Sequence, residues 1–224
     1  MSWGSGLPRS LPSATWQCRP QVEQVVRRYG PASARVVDLG AGGRQVAPHA
    51  VTVDFCPLPG TGVVADVTAT PFADGSVDLV IATGLLEHVA DERRLLAEIH
   101  RILRRGGVVH IELPFLQQYP EDPIDVRRYT MPGLALLLEQ HGFEVLGRGV
   151  HIGPTVTILT LLSYYAALLF EGPSRSARLL SNAAFAAIAV VGWPLRYLDR
   201  FLVGRRSAHR LAFGVYCTAA RLSD

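Results

Sequence analysis

The chain predicts an open α/β fold, a sheet covered by helices on both faces. Three observations carry this. Short apolar runs recur along residues 35–150, each ending at a polar residue or a glycine, as buried parallel strands do. Helical stretches with glycine or proline stops lie among them. The connections are short, which suits alternating strand and helix units. At 224 residues the chain is long enough for one domain, or one domain with an appendage.

The elements follow in order. Pro20 suits a first helical turn, Val22, Val25, Val26 and Tyr29 share one face, and Gly30-Pro31 ends that helix. Strands are expected over Arg35–Leu39, Val51–Asp54, Val63–Asp66 and Asp78–Thr83. A helix from Asp91 to Arg105 carries acids in its first turn and arginines in its last, as the helix dipole favours. Leu95, Ile99 and Ile102 form its buried stripe, and Gly106-Gly107 ends it. A fifth strand covers Val108–Leu113. Thr130 caps a helix over Met131–His141, and strands follow over Phe143–Val150 and Leu211–Ala220.

Composition narrows the function. Hydrophobic residues make up 49% and charged residues 18%, which excludes a disordered chain. All 22 basic residues are arginine, so no mechanism can use a catalytic lysine. Residues 1–150 hold 14 Arg against 16 Asp and Glu, a net of −2, whereas residues 151–224 hold 8 against 3, a net of +5. The front portion is therefore not expected to bind nucleic acid. Cys18, Cys56 and Cys217 are few and scattered, which predicts neither a disulfide framework nor a metal site and suits a reducing cytoplasm. The first 16 residues contain no long apolar core, so no secretory signal is expected.

The most informative stretch is Val36-Val37-Asp38-Leu39-Gly40-Ala41-Gly42-Gly43, a strand entering a glycine turn that lets a ligand approach the backbone. A dinucleotide site would want G-x-G-x-x-G, but Gln45 stands at the last position. Asp38 instead suits a ligand with an ammonium group. Asp54, ending the second strand, can accept from both hydroxyls of a ribose, and Asp66, ending the third, from an adenine amino group. Taken singly, the glycines could be only a turn and Asp54 only a cap.

With these pieces in order, the sequence resembles the class I S-adenosylmethionine-dependent methyltransferases, and among them the type 11 group. The resemblance runs through Val-Asp-Leu-Gly-Ala-Gly, Val-Thr-Val-Asp54, and Ala-Asp66-Val-Thr-Ala-Thr-Pro-Phe. It continues through Leu-Leu-Glu87-His88-Val and Glu98-Ile-His-Arg-Ile-Leu-Arg-Arg-Gly-Gly, covering roughly residues 20–150 and the final strand. It implies a Rossmann-like seven-stranded sheet with the last strand antiparallel, and S-adenosyl-L-methionine as cofactor. By that resemblance Gly40, Ala41 and Gly42 would line the methionine portion and Asp38 would hold its amino group. Asp54, with Phe55 beside it, would bind the ribose, and Asp66 with the Val67 backbone the adenine. Thr83 and Gly84 would close over the cofactor. Two departures stand out: Arg44 replaces a frequent third glycine, and the stretch Gly43–Val51 leaves little room for a first crossover helix.

His88, after the fourth strand, is the candidate general base; alternatively it only packs the start of the next helix. The long segment Pro114–Thr130 follows a central strand, where open α/β sheets bind ligands. Tyr119, Asp122, Arg127, Arg128 and Tyr129 are its acceptor-site candidates. The competing reading makes Asp125 and Arg128 a local ion pair and Thr130 a cap.

The expected organisation is an N-terminal loop over 1–19, the cofactor-binding core over 20–151, an apolar helical insertion over 152–209, and the final strand and tail over 210–224. Gly149–Phe170 and Leu179–Leu195 contain no Asp, Glu, Arg or Lys, and arginines bracket both runs. Neither run comfortably matches the roughly 20 residues of a spanning helix. Contact with the inner face of the membrane is one reading, with the insertion delivering a small-molecule or lipid-linked acceptor. An apolar lid or a dimer interface is the other. The expected activity is methyl transfer to a small-molecule, sugar or lipid-linked acceptor at oxygen. The rival is a non-catalytic cofactor-binding or membrane-recruitment module.

Overall fold

A computed structural model describes residues 15–120 and 123–222. Its sheet has seven strands: β1 Val36–Leu39, β2 Val51–Asp54, β3 Val63–Val64, β4 Val77–Thr83, β5 Leu103–Pro114, β6 Phe143–Ile152 and β7 Gly214–Arg221. They lie in the order β3-β2-β1-β4-β5-β7-β6. The first five are parallel, and β7 runs antiparallel to both β5 and β6. β6 therefore points the same way as β5, so the carboxyl ends of β1, β2, β4, β5 and β6 share one edge. This is the open α/β sheet that the alternating pattern predicts, with the antiparallel last strand of the Rossmann-like form that the resemblance implies.

Helices α1 (Thr15–Tyr29), α2 (Glu92–Ile102) and α3 (Met131–Gln140) cover the two faces. Leu95, Leu96, Ile99 and Ile102 of α2 and Leu134 and Leu138 of α3 are fully buried against one face. Val22 and Val25 of α1 pack with Val36, Leu79, Ile81 and Val108 on the other. Burial of this kind stabilises by roughly 1.5–3 kcal/mol per large aliphatic side chain.

The edges of several elements differ from expectation. α2 ends at Ile102, because Leu103 is already extended and pairs with Val77 across a bulged start of β5. Arg104 then bonds to Asp78 rather than lying in the last helical turn. β3 is two residues long because Asp66 accepts from the Thr68 N–H and hydroxyl, turning the chain out of the sheet. Asp74 and Asp78 act as structural partners of Arg101 and Arg104, and Glu98 holds Thr70, which fixes the segment after β3. Among the described residues no helix separates β1 from β2.

Between β6 and β7 lie α4 (Pro154–Leu168), α5 (Arg175–Gly192), a 3-10 turn over Trp193–Leu198, and the short α6 (Asp199–Leu202). Buried Asp199 accepts from the Thr155 and Val156 N–H groups at 2.9 and 3.3 Å, capping α4 and closing the base of this insertion.

Candidate cofactor and acceptor site

The sheet register gathers the predicted cofactor residues along one edge. Gly40, Gly42 and Gly43 have φ of 68°, 57° and 76°, a region that disfavours any side chain. The N–H groups of Gly40 and Ala41 donate to the Val53 carbonyl, which pins the loop to β2. A Cβ on Gly40 would lie 2.8 Å from Leu85 Cδ1, whereas one on Gly42 would meet nothing within 4 Å. The loop is thus closed on its inner side and open at Gly42. Asp54 is 7% exposed; its Oδ2 accepts from Gly42 N–H at 2.9 Å and its Oδ1 from Cys56 N–H at 3.0 Å. This carboxylate shapes the loop and keeps lone pairs for hydroxyl donors. Phe55 beside it is 78% exposed.

Asp38 lies beneath the loop, 2% exposed, and its Oδ1 is buried without a partner. Burial pushes its carboxyl up to about 7, against the opposing field of Arg44. An isolated buried carboxyl of this kind calls for a cationic donor. Asp66 is exposed and held below the ordinary carboxylate range by its bonds to Thr68. Val67 is half-buried against the main core. Thr83 ends β4, and Gly84, with φ of 65°, donates to the Glu112 carbonyl at 2.9 Å. The orphaned Asp38 oxygen, the open Gly42 and the Asp54 carboxylate fit the ammonium and ribose ends of S-adenosylmethionine.

The segment after β5 folds back onto the turn that follows β4. The Val126 and Arg127 N–H groups donate to the Glu87 carbonyl. His88 Nδ1 lies 3.0 Å from the Ile124 carbonyl and 3.3 Å from Asp125 Oδ1. Since a carbonyl only accepts, these partners assign a proton to Nδ1, while Nε2 lies 3.9 Å from Glu87 Oε1. Arg128 is engaged by its own segment: it pairs with Asp125 and donates to the carbonyls of Phe115, Gln117 and Gln118. Arg127 pairs with Glu92 at the start of α2. Tyr129 packs against the core and Tyr119 is 57% exposed. Asp122 lies outside the described residues. Among the described residues no cluster of His, Cys, Asp and Glu is arranged to hold a metal.

Two features escaped the sequence reading. Glu87 is 3% exposed, its Oε2 has no partner, and burial pushes its carboxyl up to about 7, with His88 opposing. Only its place between Leu86 and His88 hinted at it. The second is a polar seam on the α1 face. The register aligns Asp38, Ile81, His110 and Thr218, and beside them Thr83, Glu112 and Tyr216. Buried His110 contacts Thr218 Oγ1 at 2.8 Å and Glu112 Oε1 at 3.1 Å. His151 is held neutral by burial, with Nδ1 unpartnered. The alternation Val109-His110-Ile111-Glu112-Leu113 carries the signal, since every second residue shares a face.

Residues 21–111 match the family model for a methyltransferase domain. A protein of Mycolicibacterium smegmatis, described as a probable S-adenosylmethionine-dependent methyltransferase, is 35% identical over 81 residues, which cover 34% of this chain and 32% of that protein. The chain thus aligns with about a third of that relative's length. The fold is similar to 1,6-didemethyltoxoflavin-N1-methyltransferase of Burkholderia thailandensis, solved with 1,6-didemethyltoxoflavin and S-adenosylhomocysteine, at a TM-score of 0.58 and 15% identity over 94% of this chain and 82% of that one. It is also similar to an S-adenosylmethionine-dependent methyltransferase of Mesorhizobium loti, at a TM-score of 0.55 and 17% identity over 94% and 99% of the two chains.

Proposed function

We propose that this chain is a class I S-adenosylmethionine-dependent methyltransferase of the type 11 group, as the family match over residues 21–111 and the relative 35% identical over 81 residues support, and that it methylates an oxygen of a small-molecule, sugar or lipid-linked acceptor at the inner face of the cytoplasmic membrane. The observation that carries the reading is the buried Asp38 carboxyl with one unpartnered oxygen, set beneath a loop of glycines at positive φ. Bound cofactor supplies a methyl group on a sulfonium. Asp38 holds its ammonium group, Asp54 its ribose, and Asp66 with the Val67 backbone its adenine. Gly40, Ala41 and Gly42 let the methionine portion approach the backbone, and Thr83 and Gly84 close the far side.

Much of the rate comes from placing the acceptor oxygen in line with the methyl group. The segment after β5 does the placing, and Arg128 keeps it in shape through the Asp125 pair and three carbonyls. Tyr119, Arg127 and Tyr129 surround the acceptor. His88 Nε2 takes the proton from the acceptor hydroxyl, and Asp125 beside Nδ1 stabilises the imidazolium that forms. The insertion after β6 meets the membrane and brings a lipid-linked acceptor to this edge.

Calorimetry with S-adenosylhomocysteine, followed by turnover against an acceptor panel, tests the reading. Asp54→Ala should weaken cofactor binding at least about tenfold, as the loss of charge-assisted hydrogen bonds implies. Unchanged affinity overturns the site. Tight binding without turnover of any acceptor favours the non-catalytic module instead, for which Arg44 in place of a glycine is the motivating feature.

A further inference from the structure

Helices α4 and α5 pack chiefly on each other, and their packing is turned inside out. The buried positions of α4 are Pro154, Thr157, Thr160, Ser163 and Ala167 and those of α5 Ser181, Phe185 and Gly192, a seam of mostly small and hydroxyl side chains joined by an edge contact of Tyr164 on Phe185 and by Leu159 against Gly192. Three of the hydroxyls bond within the hairpin and its base: Ser163 donates to the Leu159 carbonyl, Ser181 to that of Ala167, and Thr157 to that of Leu211, at 2.7–2.8 Å. At Gly192 a Cβ would lie 2.3 Å from Leu159 Cδ2, so the helices approach as closely as glycine allows.

The outward positions are aliphatic apart from Tyr165. On α4 they are Ile158, Leu161, Leu162, Tyr165 and Leu168, spaced as one helical face and 44–61% exposed. On α5 they include Leu179, Leu180, Val190 and Val191, 51–79% exposed. A hairpin in water places its aliphatic stripe between the helices and its polar residues outside. The reverse order, with small and hydroxyl side chains between close helices and large aliphatic ones outside, is how helices pack in lipid. A helix lying on a bilayer keeps a polar face toward water. Here no charged residue lies between Gly149 and Phe170 or between Leu179 and Leu195.

Charge sets the orientation. Arg196, Arg200, Arg205, Arg206 and Arg210 follow the returning helix at the base, whereas the tip carries Glu171, Arg175 and Arg178. This bias puts the base on the cytoplasmic side, where anionic headgroups attract arginine. The 15 residues of α4 rise about 22 Å, short of a hydrocarbon core of about 30 Å. The tip arginines can make up that shortfall by snorkelling.

We propose that the α4–α5 hairpin is embedded tip-first in an anionic bilayer, so that the carboxyl edge of the sheet, from which α4 leaves, faces the headgroups. The inference rests on the membrane contact proposed above and turns it from a peripheral contact into insertion.

The test is flotation of the full chain on phosphatidylglycerol–phosphatidylethanolamine vesicles, with S-adenosylhomocysteine calorimetry on the same samples. The protein should float and stay bound through high-salt and alkaline carbonate washes. Leu162→Glu with Val191→Glu should cut the carbonate-resistant fraction at least about tenfold, given the cost of a charge in lipid, with cofactor affinity held within about twofold of the parent. Release of the parent protein by salt overturns insertion and leaves only peripheral contact. A monodisperse chain in detergent-free buffer that ignores vesicles overturns both, and a dimer there assigns the apolar face to a second copy. Loss of cofactor binding with flotation intact sinks the methyl-transfer reading while the hairpin stands.

Discussion

Asp38 and Glu87 are carboxyls that burial has moved from ordinary values of 3.8 and 4.5 up to about 7. Folded, each keeps its proton to near neutrality; unfolded, each releases it near pH 4. Between those values the folded chain binds more protons, so ligand-free stability falls as pH rises from about 4 to about 7. Thermal melts from pH 5 to 8 should show the decline, and Asp38→Asn with Glu87→Gln should flatten it. An ammonium group beside Asp38 restores its charged form, so cofactor binding below pH 7 should expel a proton and strengthen as pH rises. Calorimetry at pH 6 in buffers of different ionisation heat reads that proton. Asp38→Asn should abolish its release and weaken binding about 10- to 100-fold. At His88, substitution by Ala should lower kcat about 10²-fold or more with cofactor affinity unchanged. A kcat within twofold of the parent would leave His88 only the task of latching the Ile124 carbonyl.

At the scale of elements, the segment after β5 owes its shape to one guanidinium. Arg128→Ala should speed limited proteolysis between residues 115 and 130 and raise the acceptor KM, with cofactor affinity unchanged. Arg128→Lys should not rescue it, since an ammonium cannot fork to a carboxylate and several carbonyls at once. The ion pair with Asp125 was legible as a neighbour three residues away, but the carbonyls of Phe115, Gln117 and Gln118 were not, because only the closed loop brings them within reach. The same division runs through the rest of the chain. Glycine and proline stops and apolar runs predict the end of α1, α3 and the central strands, since these are local effects, but α1 begins at Thr15, within the stretch expected to be loop, and carries Pro20 in its interior rather than in its first turn. The end of α2 was misplaced because pairing of Leu103 with Val77 outweighs the helical propensity of Arg104 and Arg105. Glu87 stayed hidden because its burial depends on a loop returning from Val126. The apolar runs announced helices, but a composition hydrophobic all round does not tell which side faces out.

For the whole molecule, a cofactor that binds only the folded sheet must stabilise it. At a hundredfold excess over Kd the gain is about 2.7 kcal/mol, or roughly 5–10 °C in Tm for a chain of this size. S-adenosylhomocysteine should produce that shift in the parent protein and little of it in Asp54→Ala; an equal shift in both would contradict the ribose assignment. The position of β7 adds a constraint of another kind. This strand lies between β5 and β6, yet it follows the helical hairpin in the chain. During synthesis the sheet therefore has a gap until after α4 and α5 have been made. At about 5–20 residues per second, the strand that fills this gap follows the hairpin by about one to four seconds. In that interval the apolar helices are already made while β5 and β6 still present open edges, so under the proposed insertion the order of translation puts anchoring first and closure second.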